Sequence, residues 1–268
     1  MSALGSVAKR AAKRFGYQVK RVAPAAYPEL ADVPRYTETQ VPLLGHPFRV
    51  TDAASFLASY REIFEEEIYK FTSDRDQPVI VDCWANYGVS VVYLKSRYPG
   101  ASIKAVEAGP RIFKMLNTNV TAAALQNVEL INKAVSGSSE PVTFYSEGAD
   151  DGRTRHLDDA IKAETIPAVT LDELIGDRVD FLKIDIEGAE TEALASCTKL
   201  ANVRQMFVEY HSFADSGQVL SDLLDILRRN GFRYYIHTQL CSPAPLSIDQ
   251  VYMGMDLQLN IFANRHPL

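Results

Sequence analysis

The chain has 268 residues, of which 47% are hydrophobic and 23% charged, and it carries a formal net charge of −6. That is the make-up of an ordinary globular protein, with room for one large domain or one domain with an N-terminal extension. The acidic balance argues against nucleic acid as the main partner, no apolar run reaches the roughly 18–20 residues that span a bilayer, and three scattered cysteines (Cys83, Cys197, Cys241) exclude a disulfide framework or a CxxC zinc site.

Residues 1–28 hold Lys9, Arg10, Lys13, Arg14, Lys20 and Arg21 and no acid, so this stretch is +6 and the remainder −12. Leu4, Val7, Ala11 and Phe15 recur at helical spacing opposite these charges, which predicts a short basic helix. Residues 4–21 are thus a candidate for peripheral contact with an anionic membrane; a solvated helix packed on the domain is the plainer reading. No apolar region of a secretory signal follows the charges, and with so few cysteines the expectation is a cytoplasmic protein. Residues 1–50 are expected to form this helix and a Pro-rich irregular lead-in with room for one hairpin, and 51–268 the main domain. Thr51 or Asp52 is placed to cap a helix over 54–71, with Phe56, Tyr60, Phe64 and Ile68 on one face.

A strand–helix alternation follows. PVIVDC (78–83), SIKAVEA (102–108) and VELINKAV (128–135) read as buried strands, separated by helices over VSVVYLKSRYP (89–99) and PRIFKMLNTNVTAAAL (110–125). PVTFYSEG (141–148) reads as an added β segment, and 147–168 as a polar insert and candidate lid carrying Arg153, Arg155 and His156; a solvated charged loop explains these three equally well. VDFLKIDIEG, RQMFVEYH, FRYYIHT and LQLNIFAN supply further strands around the helices AETEALASCTKL and VLSDLLDILRRN. The expected fold is α/β: a Rossmann-like, doubly wound, mostly parallel seven-stranded sheet with helices on both faces. Tyr234 and Tyr235 are expected in the core.

Such sheets bind ligands outside the carboxyl ends of their strands, where strand order reverses. The first strand ends in Asp82-Cys83-Trp84-Ala85-Asn86-Tyr87-Gly88, and the second ends in Glu107, 25 residues after Asp82. An acid at the second tip suits the two hydroxyls of a ribose, and Asp82 suits an amino group or the loop's backbone donors. A dinucleotide would need G-x-G-x-x-G here to cradle its pyrophosphate, and only Gly88 is present. A cofactor with ribose but no phosphate fits better than a nicotinamide dinucleotide, and S-adenosylmethionine is one.

DCWANYGVS, AVEAGPRIFKMLNTNV, VELINKAVS, AVTLDEL, FLKIDIEGAE and FVEYH resemble successive motifs of the FkbM-type methyltransferases, over about residues 78–264. The resemblance implies a class I methyltransferase fold, S-adenosylmethionine as cofactor, and methyl transfer to a hydroxyl of a small molecule, sugar or glycolipid. It also implies that Asp82, Asn86, Gly88, Glu107 and Asn119 line the cofactor pocket, with Ala134 and Ser136 near the adenine. One departure stands out: Trp84, the sole tryptophan, replaces a family glycine and adds roughly 200 Å² of apolar side chain. Pointing inward it would fill the methionine end and leave a methyltransferase-like binding or scaffold protein; pointing outward it would pack under the following helix.

Methyl transfer to an alcohol needs the nucleophile held in line and its proton removed. The candidate groups stand at the next strand tips: Asp185 and Glu187 on one side of their strand, and Glu209 and His211 on one side of theirs. His211 is a candidate general base with Glu209 or Asp185 orienting it; alternatively Asp185, Glu209 and His211 bind Mg²⁺ or Mn²⁺. Glu187 is expected to cap the helix that starts near Ala189. Lys183 is left unassigned, and His237 reads as an ordinary surface or core histidine.

Overall fold

The computed structural model describes residues 26–146, 152–153 and 162–265. The expected basic helix over residues 4–21 lies outside them, as do Arg155 and His156. Among the described residues no helix is long and apolar enough to cross a membrane.

Residues Val33–Leu268 form one compact unit. It opens with a hairpin, β1 (Thr39–Leu43) and β2 (His46–Val50), then helix α1 (Ala53–Tyr60). The expected boundary at residue 50 therefore falls inside this unit, between β2 and α1. Asp52 is the cap of α1: its fully buried carboxylate accepts from the Ser55 N–H at 2.9 Å, the Tyr36 N–H at 2.6 Å and the Arg35 guanidinium at 2.9 Å. The helix is shorter than expected. It widens into a π-turn over Arg61–Glu65 and ends, because Glu67 takes a left-handed φ of 52°. Phe56, Tyr60 and Phe64 still form a ring ladder, at 5.9 and 5.0 Å between successive centroids, while Ile68 lies beyond the helix.

The remaining elements are β3 (Val79–Cys83), α2 (Val89–Arg97), β4 (Ser102–Val106), α3 (Pro110–Ala122), β5 (Val128–Ile131), β6 (Ala134–Val135), β7 (Val142–Ser146), β8 (Gly152–Arg153), β9 (Lys162–Ile166), β10 (Ala168–Val169), α4 (Leu171–Leu174), β11 (Val179–Ile184), α5 (Glu190–Ser196), β12 (Val203–Phe213), α6 (Leu220–Arg229), β13 (Arg233–Cys241) and β14 (Met255–Asn264). Seven strands make the main sheet in the order β13-β14-β12-β11-β3-β4-β5, with β14 alone running against its neighbours. This is the expected doubly wound α/β sheet. Its chain order reverses between β3 and β11.

Two expected strands change. VELINKAV breaks after Ile131, because the Asn132 side chain turns to donate to the carbonyls of Glu107 and Ala108; β6 pairs instead with β10. The added β segment is β7, the centre of a small antiparallel sheet with β8 and β9. Tyr234 and Tyr235, expected in the core, are 36% and 56% exposed on the edge strand β13.

Alternation along the central strands divides their residues between two faces. Val81, Leu182, Met206 and Val208 pack in one cluster with Leu194 of α5 and Leu223 and Leu227 of α6. Asp82, Lys183, Glu209 and His211 fall on the opposite face, the side on which α2 holds Asp82 through Ser90. Every candidate chemical group on the central strands thus points one way.

Burial pushes the Asp52 carboxyl up, but its two backbone N–H donors and Arg35 outweigh that and hold it at about 2. Its contribution is therefore in force at neutral pH and is lost as pH falls from about 4 toward 2. Asp52→Ala should lower stability by about 1–2 kcal/mol in urea melts at pH 7, with the gap from the parent closing near pH 2. An equal gap at both pH values would show that the cap acts otherwise.

Candidate active site

The β3 tip is organised around a buried cation. Lys183 stands beside Asp82 in register on the neighbouring strand, and its ammonium lies 3.4 Å from one Asp82 oxygen. It donates to Asp185 at 3.2 Å and to the Trp84 carbonyl at 2.9 Å. The second Asp82 oxygen accepts from Ser90 Oγ at 2.6 Å. Burial lowers the Lys183 pKa, but Asp82 and Asp185 outweigh it and hold the ammonium well above its ordinary range. The residue that the sequence left unassigned therefore ties three parts of the site together.

The Lys183–Trp84 bond helps to shape the loop into α2. The N–H groups of Trp84 and Ala85 both donate to the Val106 carbonyl, and Trp84 takes a φ of 129°, a region that favours glycine. Such a conformation on a non-glycine residue costs on the order of 1–3 kcal/mol. Gly88 has a φ of 102°, which favours glycine, and a Cβ there would force Leu116 Cδ1, 2.9 Å away, to shift.

The Trp84 indole goes neither into the methionine end nor under α2. It leans sideways, 6.2 Å from the Phe144 ring, against a cluster of Ala108, Ala134, Phe144 and Ile166. The apolar pocket it shares with Ala134 and Phe144 has a volume of only about 10 Å³. The indole thus occupies the side that the resemblance gives to adenine.

Glu107 is buried at the β4 tip, and each carboxylate oxygen already holds a backbone donor, Asn86 N–H at 3.0 Å and Gly109 N–H at 2.7 Å. Burial raises its pKa to about 7 against these two bonds. Each oxygen keeps a second lone pair. Asn119 has a different task from the expected one. Its amide binds both the N–H and the carbonyl of Arg49 on β2, and the Tyr87 carbonyl, so it latches the hairpin to the loop. Ser136 lies apart, in a separate groove with Glu140, Tyr145 and Glu192.

A cleft of about 190 Å³ lies where the strand tips meet. Asp185, Glu187, Glu209 and His211 line it together with Trp84, Asn86 and Ser90. His211 is not oriented by Asp185 or Glu209. Its Nδ1 lies 2.9 Å from Glu190, a fully buried carboxylate that also accepts from the N–H groups of Gly188 at 2.9 Å and Ile186 at 3.3 Å. The His211 Nε2 faces the cleft, 3.8 Å from Glu187 and 3.5 Å from the Gln258 amide nitrogen. Burial lowers the His211 pKa, but Glu190 and Glu187 outweigh it and keep the imidazole well above its ordinary value. Glu209 accepts from the Gln258 amide, and burial together with the Asp185 charge raises its carboxyl to about 8.

Glu187 is not the cap of α5. Ala189 occupies that position without a side-chain bond, and Glu187, at a φ of 54°, lines the cleft. Ser55, Ser59 and Ile63, with Tyr69, form a further wall, and β14 contributes Gln258. None of these was singled out from sequence. Glu190 had a signal, its place in the KIDIEGAE block; α1 and Gln258 had none. His237 lies on β13 with its ring 5.0 Å from that of Phe262, away from the cleft, and Arg153 lies on β8.

A model of the methyltransferase FkbM domain matches residues 82–234, more than half of the chain. The chain belongs to the FkbM methyltransferase family. It is 31% identical over 225 residues to the AMB antimetabolite synthetase AmbE of Pseudomonas aeruginosa, covering 66% of this chain but 10% of that protein. It is 29% identical over 173 residues to methyltransferase sdnD of Sordaria araneosa, covering 50% of this chain and 66% of that one. With the 31-O-demethyl-FK506 methyltransferase FkbM of Streptomyces tacrolimicus it shares 25% identity over 217 residues, 67% of this chain and 82% of that one. The chain thus spans a small part of the first relative's length and just under two thirds of the second's. The FkbM match holds the β3 loop, Glu107, Asp185 and His211, whereas α1 and Gln258 lie outside it.

Replacing Lys183 by Met leaves Asp82 and Asp185 without their shared cation. Breaking a buried pair in this way costs about 3–5 kcal/mol. Lys183→Met should therefore be destabilised by that amount in denaturant melts at pH 7; a loss below about 1 kcal/mol would remove Lys183 from its organising role.

Proposed function

We propose that the chain is an S-adenosylmethionine-dependent O-methyltransferase that acts on a hydroxyl of a small molecule, sugar or glycolipid. The observation that carries this reading is the meeting, in one cleft, of the Trp84–Ser90 loop with Asp185, Glu209 and His211. The lining suits such a cofactor. Asp185, Glu187 and Glu209 line a space fit for cationic groups, with Tyr69 in the same wall. The same acids oppose a phosphate-bearing acceptor, which argues against RNA.

When bound, S-adenosylmethionine supplies a methyl group on a positively charged sulfur. In this reading Asn86 and Glu107 serve the ribose side, Trp84 and Ala134 the adenine side, and Asp82 with Lys183 fixes the loop between them. Asp185, Glu209 and His211 hold the acceptor hydroxyl, and Glu209 and His211 receive its proton only after giving up their own, which their raised pKa values shift to higher pH. Glu190 keeps the Nδ1 of His211 engaged, so that Nε2 is the atom presented to the acceptor.

A second reading, a methyltransferase-like binding protein without activity, is favoured by one observation: the pocket beside Trp84 holds only about 10 Å³. An adenine enters there only if the indole moves. Titration with S-adenosylmethionine separates the two. Calorimetry should give micromolar-range binding, accompanied by a change in the emission of the sole tryptophan. No heat with the parent chain, and binding restored in Trp84→Gly, would favour the inactive reading. Given a methyl acceptor, Asp185→Asn and His211→Ala should each lower turnover at least ~100-fold while cofactor affinity stays within about threefold. Full turnover in both variants would refute their roles.

A further inference from the structure

We propose that Asp185, Glu209 and His211 form a divalent-cation site of the Mn²⁺ or Mg²⁺ class. One carboxylate oxygen from each acid and one ring nitrogen of His211 lie within 4.8 Å of one another. Adjacent donors around a six-coordinate cation of this class stand roughly 3 Å apart, so the three groups would close inward onto a bound ion. The backbone makes this convergence rigid. Glu209 and His211 are two apart on β12 and share a face, and Asp185 follows the end of β11, the parallel neighbour of β12.

The arrangement behind His211 is an independent pointer. A metal-binding histidine characteristically donates its other ring N–H to a carboxylate, which fixes its tautomer and its aim. Glu190 is the acceptor beside Nδ1, at 2.9 Å, and is itself held by two backbone N–H groups. Nε2 is thereby left facing the cleft. Charge leads to the same place. Asp185, Glu187 and Glu209 all line the cleft, while the ammonium of Lys183 is engaged by Asp82, Asp185 and the Trp84 carbonyl. The Gln258 amide nitrogen lies between Glu209 and His211, a neutral donor at the point where positive charge is wanted.

Two carboxylates with one imidazole select a borderline-hard cation, and the remaining positions suit water and an oxygen ligand. The use of the ion rests on the methyltransferase reading: it would draw the acceptor hydroxyl to the cleft and make it more acidic. Binding of the ion does not depend on that reading.

The test is titration of the full chain, stripped with a chelator, with Mn²⁺ in the absence of cofactor, reading the free-ion electron paramagnetic resonance signal. One Mn²⁺ per chain should bind in the micromolar range and be displaced by Mg²⁺. Asp185→Asn and Glu209→Gln should each weaken it at least ~10-fold, and Asp225→Asn on the surface of α6 should not. Electron–nuclear double resonance on the unaltered protein should show imidazole ¹⁴N coupling to the bound ion, a readout that survives even if a variant fails to fold. No binding up to millimolar Mn²⁺, binding unchanged in both site variants, or absence of ¹⁴N coupling would overturn the proposal. Calorimetry with S-adenosylmethionine in excess chelator reports separately on the methyltransferase reading.

Discussion

A single buried ammonium holds the carboxyl edge of the sheet together. Lys183 sits between Asp82 on the adjacent strand and Asp185 beyond its own, and it also binds the carbonyl of Trp84. Burying these charges is costly, and a lone charge at that depth would be more costly still, so the group is stable only as a set. Its consequence is positional. The first loop, the β11 tip and the floor of the cleft are fixed by one cation at the reversal point of strand order.

From that point the chemistry divides. On the β4 side, Glu107 fastens the two flanking loops through Asn86 and Gly109, and Trp84 leans into the apolar slot beside Ala134. On the β12 side the surroundings are acidic and hydrogen-bonded, and His211 is steered from behind by Glu190. Both sides depend on backbone in left-handed conformations, at Trp84, Asn86 and Gly88 on one and at Glu187 and Gly188 on the other. At Gly188 a Cβ would meet the Phe213 ring at 2.8 Å, so the turn and the packing again require the same residue. Strained or special backbone on either side of the cleft is where a fold places groups whose aim matters.

The sheet was legible because continuous apolar runs and strand–helix spacing leave little freedom in an α/β fold. That Asp185, Glu209 and His211 stand together at one cleft was legible for the related reason that alternation puts polar residues at neighbouring strand tips on one face. Hidden features depended on tertiary direction. Glu190 reads as one acid among several at a helix start, yet it reaches back to bind two backbone donors and a histidine from another strand. Asn119 reads as a pocket residue and is a latch, because the hairpin that it binds precedes it by 70 residues. The lean of Trp84 depends on Phe144, which the small β7–β9 sheet delivers.

The cleft draws its walls from two different sources. The tips of β3, β11 and β12 lie within the stretch that matches the family, while Ser55, Ser59, Ile63 and Tyr69 and, at the far end of the chain, Gln258 lie outside it. A substitution in the outer walls therefore alters the rim of the cleft while leaving Asp185, Glu209 and His211 in place.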